Sequence, residues 1–401
     1  MTTYTKRLQK VTAVLCTTAL LAGCAAGTSD NTEPAATTAQ VKTITIEPTA
    51  AYQTMNGFGA SACWWSQEVG NWENAKDILS LLYDENSGIG LNIYRYNLGA
   101  GSKDDATITD PDRRAEAFID KDGSYHWERD AAAQNALALA KSMNKDLRVT
   151  LFSNSAPVFY TANGKAYCDY LPDEENYVTN LEPERYADFA KYGIACAKHF
   201  TEAGYRVTGL SPINEPEWSW RGYEDGTAKQ EGCYYSKTQC RDLYKVFLKQ
   251  MAQEDALKDC QLEGWESGHI GTDTCMAYLQ TMFGKSGVNW LKNSALRKGM
   301  PTLALHSYWA SPEERQAFAD AIATTYGSNY KLALTEYCQM TEDQNSGVYD
   351  LIQKNGMRSG RWYTLQEPEE ECQLPSASSG FFAAEAVPQY PVSKLLPYRA
   401  A

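Results

Sequence analysis

The stretch Leu210-Ser211-Pro212-Ile213-Asn214-Glu215-Pro216 places a glutamate at the end of an apolar run, and Leu332-Ala333-Leu334-Thr335-Glu336-Tyr337 repeats the arrangement. Each has the character of a buried strand that presents one carboxylate at its C-terminal end. A barrel of parallel strands builds its active site at that end of the strands. Two carboxylates at strand ends of one barrel form the pair that hydrolyses glycosidic bonds. The two stretches therefore predict a barrel with a two-carboxylate glycosidase site.

Strand-like and helix-like stretches alternate along the middle of the chain. The predicted strands are 57–63, 91–98, 147–154, 207–214, 261–266, 303–308 and 332–336. The predicted helices are 74–83, 131–143, 183–201, 236–253 and 312–326. This alternation favours parallel βαβ units. Seven such strands predict an α/β fold, a (β/α)8 TIM barrel, and favour it over an open sheet. The barrel is expected to be incomplete, because no eighth strand is evident after Glu336.

Composition narrows the classes of partner. The formal net charge is −13, which disfavours nucleic acid and anionic membrane surfaces as partners. No Gly-x-Gly-x-x-Gly or Walker motif follows the first strand, so no nucleotide cofactor is expected. With 4 histidines and no ligand spacing, no catalytic metal is expected either.

An aromatic content of 12% suits a cleft that covers the apolar faces of sugar rings, although a packed core is the simpler explanation for most of these residues. We expect a monomer.

The N-terminus reads as a targeting segment. Lys6, Arg7 and Lys10 precede the apolar stretch 11–21, and Leu21-Ala22-Gly23-Cys24 matches a bacterial lipobox. Lipidation of Cys24 would anchor the protein to a membrane outside the cytoplasm; the alternative is an ordinary signal peptide and secretion. Four regions are therefore predicted: 1–24 signal and lipobox, 25–42 flexible linker, 43–360 barrel, and 361–401 an atypical, poorly ordered tail.

The cysteines do not form a recognisable framework. Of the 11 cysteines, Cys16 and Cys24 belong to the targeting segment, which leaves an odd number. No C-x-x-C pair occurs, so no structural zinc is expected. Cys233 and Cys240 flank a predicted loop and could pair, but the sequence does not decide this. Cys63, Cys196 and Cys338 lie in apolar patterns typical of buried thiols.

Glu215 is the candidate general acid/base, and Glu336 is the candidate nucleophile. A general acid must be protonated at the working pH, and burial beside Trp218 and Trp220 would raise its pKa. The nucleophile must stay ionised, and the predicted donors to it are Arg95 and Tyr308. A separation of about 5–5.5 Å between the carboxyl groups would indicate a retaining mechanism, and about 6.5–9.5 Å an inverting one.

Further candidate residues fall at the predicted strand ends, where they would bind substrate. Asn214 is expected to bond the sugar 2-hydroxyl, although it could instead cap a turn. Glu266 could bind a sugar hydroxyl or compete for a catalytic role, and His306 is as readily explained as a structural histidine. The candidate substrate-binding residues are Asn214, Arg95, Trp64, Trp65, Asn154, Glu266, His306, Tyr308 and Trp309.

These stretches together resemble glycoside hydrolase family 30, in its endo-β-1,6-galactanase-like branch. The resemblance is carried by Asn56-Gly57-Phe58-Gly59-Ala60-Ser61, Tyr94-Arg95-Tyr96-Asn97-Leu98-Gly99, Ser153-Asn154-Ser155-Ala156-Pro157, Ser211-Pro212-Ile213-Asn214-Glu215-Pro216 and Thr335-Glu336-Tyr337. It implies a retaining glycosidase with Glu215 as acid/base and Glu336 as nucleophile. The Trp64-Trp65 pair resembles the galactanase-like branch, and this resemblance implies β-1,6-galactan as the substrate.

The chain departs from this family at its C-terminal side. The resemblance implies an eighth barrel strand and a C-terminal β-domain, yet 361–401 has neither the helical nor the strand period, so the chain reads as truncated. A missing strand would expose the edges of the barrel. Two alternatives to a galactanase stay open: β-glucosidase, xylanase or glucuronoxylanase specificity, and a non-catalytic glycan-binding lipoprotein.

Overall fold

The computed structural model describes residues 54–172, 177–283, 302–306, 310, 312–326, 331–336 and 381–387. Its strands are β1 Thr54–Ser61, β2 Ile93–Asn97, β3 Arg148–Phe152, β4 Arg206–Ser211, β5 Gln261–Ser267, β6 Thr302–His306, β7 Lys331–Glu336 and β8 Phe381–Val387. Its α-helices are α1 Ser66–Val69, α2 Ala75–Tyr83, α3 Ala131–Met143, α4 Tyr186–Glu202, α5 Lys237–Met251, α6 Asp273–Phe283 and α7 Pro312–Tyr326. Short 3₁₀ turns occur at Pro111–Arg113, Val158–Tyr160, Pro183–Arg185 and Asp255–Leu257.

The strands form a closed barrel in sequence order. Strands β1 to β7 pair in parallel with their sequence neighbours. All seven predicted strands are present, and the predicted (β/α) barrel is confirmed. Helices α3 and α7 have the predicted bounds, whereas α1 and α6 were not predicted.

The eighth place in the barrel is taken by a strand of the opposite direction. Strand β8 pairs antiparallel with β1, where Phe381 lies opposite Ser61, and antiparallel with β7, where Ala386 lies opposite Leu332. The set of parallel strands is incomplete, as expected, but β8 itself was not expected from the sequence. Both strands that would have been exposed edges are therefore paired, because β8 satisfies their outward backbone groups.

The core forms where the parallel strands are covered on both faces. Every residue of β2 and β6 is buried, as is usual for a parallel sheet that lies inside a layer of helices. The helices contribute one apolar face each; α3, for example, buries Ala136, Leu137 and Ala140. Helix α5 begins at a capping box in which Ser236 and Gln239 satisfy each other's backbone N–H groups. This packing holds the carboxyl ends of β1 to β7 together at one rim.

Several sequence predictions lie outside the described residues. These are the signal and lipobox with Cys24, the linker 25–42, most of the tail 361–401, and the thiol Cys338. Among the helices that the structure does describe, none combines the length and the apolar character needed to cross a bilayer. The seven described cysteines are all buried, and none of them is in a disulfide, so Cys233 and Cys240 are not bonded to each other.

Candidate active site

Five charged or titratable side chains meet at the carboxyl ends of the parallel strands. Arg95 lies within β2, Glu215 follows β4, and Glu266, His306 and Glu336 lie at or next to the ends of β5, β6 and β7. Parallel strands of a barrel carry all of these residues to the same rim. Hydrogen bonds and ion pairs join the five into one connected group.

Arg95 holds Glu336 and Asn214 in place. Its Nη1 donates to Oε1 of Glu336 at 2.5 Å, and its Nη2 donates to Oδ1 of Asn214 at 3.0 Å. The guanidinium is fully buried and lies over the ring of Phe152, with 3.4 Å from Cζ to the ring centroid. The predicted donation from Arg95 to Glu336 is thus present. The bond to Asn214 fixes its amide with the oxygen toward Arg95 and the NH₂ group turned away from it.

Glu215 lies in an environment suited to a general acid. Burial raises the pKa of Glu215 and the charge of Glu336 raises it further, whereas His306, whose Nδ1 lies 2.9 Å from Oε1 of Glu215, partly lowers it. Its backbone has a positive φ of 44°, a region that few non-glycine residues occupy. Two contacts hold this conformation. The N–H of Glu215 donates to the carbonyl of Glu266 at 2.9 Å, and Nε1 of Trp220 donates to the carbonyl of Glu215 at 2.8 Å.

His306 links three of the carboxylates. Its Nδ1 lies 2.9 Å from Oε1 of Glu215 and 3.6 Å from Oε2 of Glu336, and its Nε2 lies 3.1 Å from Oε2 of Glu266. Burial alone would lower the pKa of His306, but these carboxylates raise it to about 10. The imidazole is therefore a cation at neutral pH, and it donates from both ring nitrogens.

Glu266 acts as a buried counter-ion. Its side chain is 0% exposed, lies 3.3 Å from Nη2 of Arg95, and accepts a hydrogen bond from the hydroxyl of Thr335. Burial alone would raise its pKa, but Arg95 and His306 lower the pKa of Glu266 to about 2. A side chain with no exposed surface cannot reach a sugar, so this position corrects the expectation that Glu266 binds a substrate hydroxyl. Arg95 is also fully buried, so the expectation that Arg95 binds substrate is corrected for the same reason.

The other predicted residues have different surroundings. Asn154 is buried and its Nδ2 donates to Oδ1 of Asn97 at 3.1 Å. Trp64 is half-buried just after β1. Trp65 is 3% exposed and packs in the core beside Tyr94, so a substrate-binding role for Trp65 is corrected to a packing role. Tyr308 and Trp309 lie outside the described residues.

Two further residues at the rim were not singled out from the sequence. Glu217 accepts hydrogen bonds from Oγ of Ser267 at 2.5 Å and from the N–H of Gly268 at 2.7 Å, which ties the segment after β4 to the end of β5. A Cβ at Gly268 would lie 2.4 Å from Nε1 of Trp218 and 2.8 Å from Oε1 of Glu215. The one sequence signal for these contacts is the position of Glu217, two residues after Glu215. The sequence around Gly268 carries no such signal.

One group of described residues has the composition of a metal site. Ligand atoms of Glu215, His306 and Glu336 all lie within 4.8 Å of one another. Both nitrogens of His306 face carboxylate oxygens, and these carboxylates raise the pKa of His306 to about 10. In this structure the three side chains form an ion-pair network.

Comparison with known proteins relates the chain to one family of enzymes. The family model described as O-Glycosyl hydrolase family 30 matches residues 41–350. The chain is 31% identical over 219 residues to an endo-beta-1,6-galactanase of Hypocrea rufa, an alignment covering 48% of this chain and 43% of that protein. It is 27% identical over 241 residues to an exo-beta-1,6-galactobiohydrolase of Bifidobacterium longum subsp. longum, covering 45% of this chain and 15% of that protein. The chain thus spans less than half the length of these two curated relatives.

Solved structures share the same architecture. A conserved exported protein from Bacteroides fragilis matches with a TM-score of 0.63 and 26% identity, over 74% of this chain and 62% of that one. An endo-beta1,6-glucanase matches with a TM-score of 0.54 and 18% identity, over 74% of this chain and 61% of that one. The second likeness concerns the fold alone.

Proposed function

This chain belongs to O-glycosyl hydrolase family 30, and on that premise we propose that it hydrolyses a β-linked plant polysaccharide with retention of anomeric configuration. One observation carries the proposal: a carboxylate oxygen of Glu215 and one of Glu336 lie within 4.8 Å of each other, so both carboxylates can act on one glycosidic bond. Such a close pair supports retention, for which the carboxyl groups stand about 5–5.5 Å apart, over inversion, which needs about 6.5–9.5 Å to admit a water.

The two glutamates divide the chemistry between them. Glu336 attacks the anomeric carbon while Glu215 gives its proton to the glycosidic oxygen, so the carbon–oxygen bond breaks and the leaving sugar departs as an alcohol. Glu215, now ionised, then takes a proton from water. The hydroxide oxygen attacks the same carbon, and Glu336 is released as a carboxylate. The raised pKa of Glu215 supports the first role, since it keeps the proton available at higher pH.

The buried charges around the pair support this division of roles. Arg95 donates to Glu336, which orients one carboxylate oxygen and leaves the other to face the anomeric carbon. Nδ1 of His306 donates to Glu215 and forms an ion pair with Glu336, so His306 can stabilise Glu215 after the proton has left. The bond from Arg95 to Oδ1 of Asn214 supports a role in which the NH₂ group of Asn214 donates to the sugar 2-hydroxyl.

The substrate we propose is β-1,6-galactan. Two curated relatives are named for β-1,6-galactosyl substrates, which supports this choice, although the chain covers less than half of each. Glucan, xylan and glucuronoxylan are the alternatives within the family. A purely glycan-binding role has no observation in its favour, because both carboxylates and their charged partners are retained.

The test is hydrolysis of defined β-linked oligosaccharides by the purified chain. We expect cleavage of 1,6-galacto-oligosaccharides in preference to 1,6-gluco-, xylo- and glucuronoxylo-oligosaccharides. Glu336→Gln should reduce the rate by on the order of 10³-fold or more, because the nucleophile is lost. Glu184→Gln, which changes an exposed acid, is the matched control. A folded wild-type protein that binds these sugars without cleaving any of them would establish the binding role instead.

We further propose that lipidation of Cys24 anchors the protein outside the cytoplasm of a bacterium. The lipobox Leu21-Ala22-Gly23-Cys24 supports this location. Full-length protein should fractionate with membranes, and Cys24→Ser should release it to the soluble fraction. Wild-type protein found only in the soluble fraction would contradict the anchor and favour secretion.

A further inference from the structure

Two loops at the rim run side by side next to the candidate active site. One follows β3 and carries Asn154 and Cys168, and the other follows β4 and carries Glu215 and Cys233. Their backbones are joined directly: the N–H of Cys168 donates to the carbonyl of Trp220 at 2.9 Å, and the N–H of Gly232 donates to the carbonyl of Ala166 at 2.8 Å. The pairing brings residues far apart in sequence into a fixed register.

This register brings two thiols together. The N–H of Tyr234, next to Cys233, donates to Sγ of Cys168 at 3.3 Å, and Cys233 in turn lies 3.8 Å from Oγ1 of Thr179. Both thiols are buried, and Sγ of Cys233 donates to the carbonyl of Tyr234, the residue whose N–H contacts Cys168. The contact with the Cys233 thiol, and after it burial, raise the pKa of Cys168. Burial alone would raise the pKa of Cys233, but the hydrogen bonds to its sulfur, that from Cys168 first among them, together lower it.

Cys240, the other candidate partner of Cys233, has different neighbours. It lies in α5, where burial and the charge of Glu217 raise the pKa of its thiol. Cys240 is nearer to Cys233 in sequence, but the register of the two loops brings Cys168 to Cys233 instead.

We propose that Cys168 and Cys233 form a disulfide when the protein matures in an oxidising compartment. The two S–H groups lose two protons and two electrons, one S–S bond forms, and a small-molecule or protein disulfide is the oxidant, reduced to two thiols. The bond would close a long loop and covalently join the segments that carry Asn154 and Glu215. It would restrict the unfolded chain and brace the rim.

The test is refolding of the full chain from urea in a buffer of reduced and oxidised glutathione. After alkylation, mass spectrometry should find two fewer alkylated cysteines than in protein refolded with reductant only, and a peptide pair joining Cys168 to Cys233. The oxidised protein should have the higher Tm.

Three variants sharpen the assignment. Cys168→Ser and Cys233→Ser should each abolish the loss of alkylation, while Cys240→Ser should leave it unchanged. If a serine variant does not fold, the peptide map of the wild-type protein still decides. Complete alkylation after oxidative refolding, or a linked peptide that contains Cys240, would overturn the proposal.

Discussion

Nη1 of Arg95 lies 2.5 Å from Oε1 of Glu336, although 241 residues separate the two in sequence. The contact crosses the barrel from β2 to β7, and Arg95 also faces Glu266 at 3.3 Å. One buried cation thus balances two carboxylates, one of which is the proposed nucleophile. A buried charge that loses its partner costs far more than an exposed one.

Replacing Arg95 should therefore damage both activity and stability. Arg95→Lys keeps the charge but cannot contact Glu336 and Asn214 at once, because an ammonium lacks the planar fork of the guanidinium. We expect kcat to fall about 100-fold or more. Arg95→Met should also lower the free energy of unfolding by about 3–5 kcal/mol, since it leaves buried carboxylates unpaired. Steady-state kinetics and urea unfolding measure the two effects; wild-type kcat in Arg95→Lys would exclude the orienting role.

His306 should make stability depend on pH in the alkaline range. Its pKa is about 10 in the folded protein, against an ordinary value of 6.5. A raised folded-state pKa gives stability that is fully present below pH 6.5 and is lost as the pH rises toward 10. His306→Gln removes the titrating group, so its free energy of unfolding should fall less over this range than that of the wild type.

Urea unfolding at a series of pH values measures this slope. His199→Gln is the control, because burial lowers the pKa of His199 and it does not titrate in the alkaline range. Equal slopes for the wild type and His306→Gln would show that His306 is not held as a cation.

Gly268 should tolerate no side chain. A Cβ there would lie 2.8 Å from Oε1 of Glu215 and 2.4 Å from Nε1 of Trp218, so Gly268→Ala must displace one of them. Misplacement of a catalytic group by about 1 Å can cost about 100-fold in rate, and we expect a loss of this size in kcat. Gly222→Ala is the control, because its Cβ would press on the ring of Tyr167 instead. Unchanged kcat in Gly268→Ala would show that Trp218 yields to the new methyl group and that Glu215 keeps its position.

Glu217 should be replaceable by glutamine but not by alanine. Its Oε1 accepts from Ser267 and Gly268, and its Oε2 is buried and has no hydrogen-bond partner among the described residues. Glu217→Gln keeps the accepting oxygen, so kcat and Tm should stay near wild type. Glu217→Ala leaves a buried hydroxyl and amide unsatisfied, at about 1–3 kcal/mol each, and should lower both. A glutamine variant as damaged as the alanine variant would show that the charge of Glu217 is needed.

Much of the barrel could be predicted because buried parallel strands appear in the sequence as short apolar runs. The apolar runs before Glu215 and Glu336 contain strands β4 and β7, and strand ends of a parallel barrel share one rim. Strand β8 could not be predicted in the same way. Its antiparallel pairing with β1 and β7 is a long-range contact, and no local period marks which strand will fill a gap in a barrel.

The side-chain network at the rim was harder to predict from the sequence than the fold. His306 and Glu266 were recognised at strand ends, but their roles depend on distances across the barrel that only the closed structure fixes. Trp64 and Trp65 are adjacent, so one had to turn inward, and the contact of Trp65 with Tyr94 decides which. Gly268 carries no side chain for sequence reasoning to notice, and its importance lies in the space it leaves for Glu215.

The most direct test of the central claim is NMR of the product anomer during hydrolysis of a β-1,6-galacto-oligosaccharide by the wild-type chain. The pairing of Glu215 with Glu336 predicts that the β-anomer appears first and that the α-anomer follows only by mutarotation. Initial release of the α-anomer would contradict the assignment of Glu336 as nucleophile, because it would require a water to attack in place of that carboxylate.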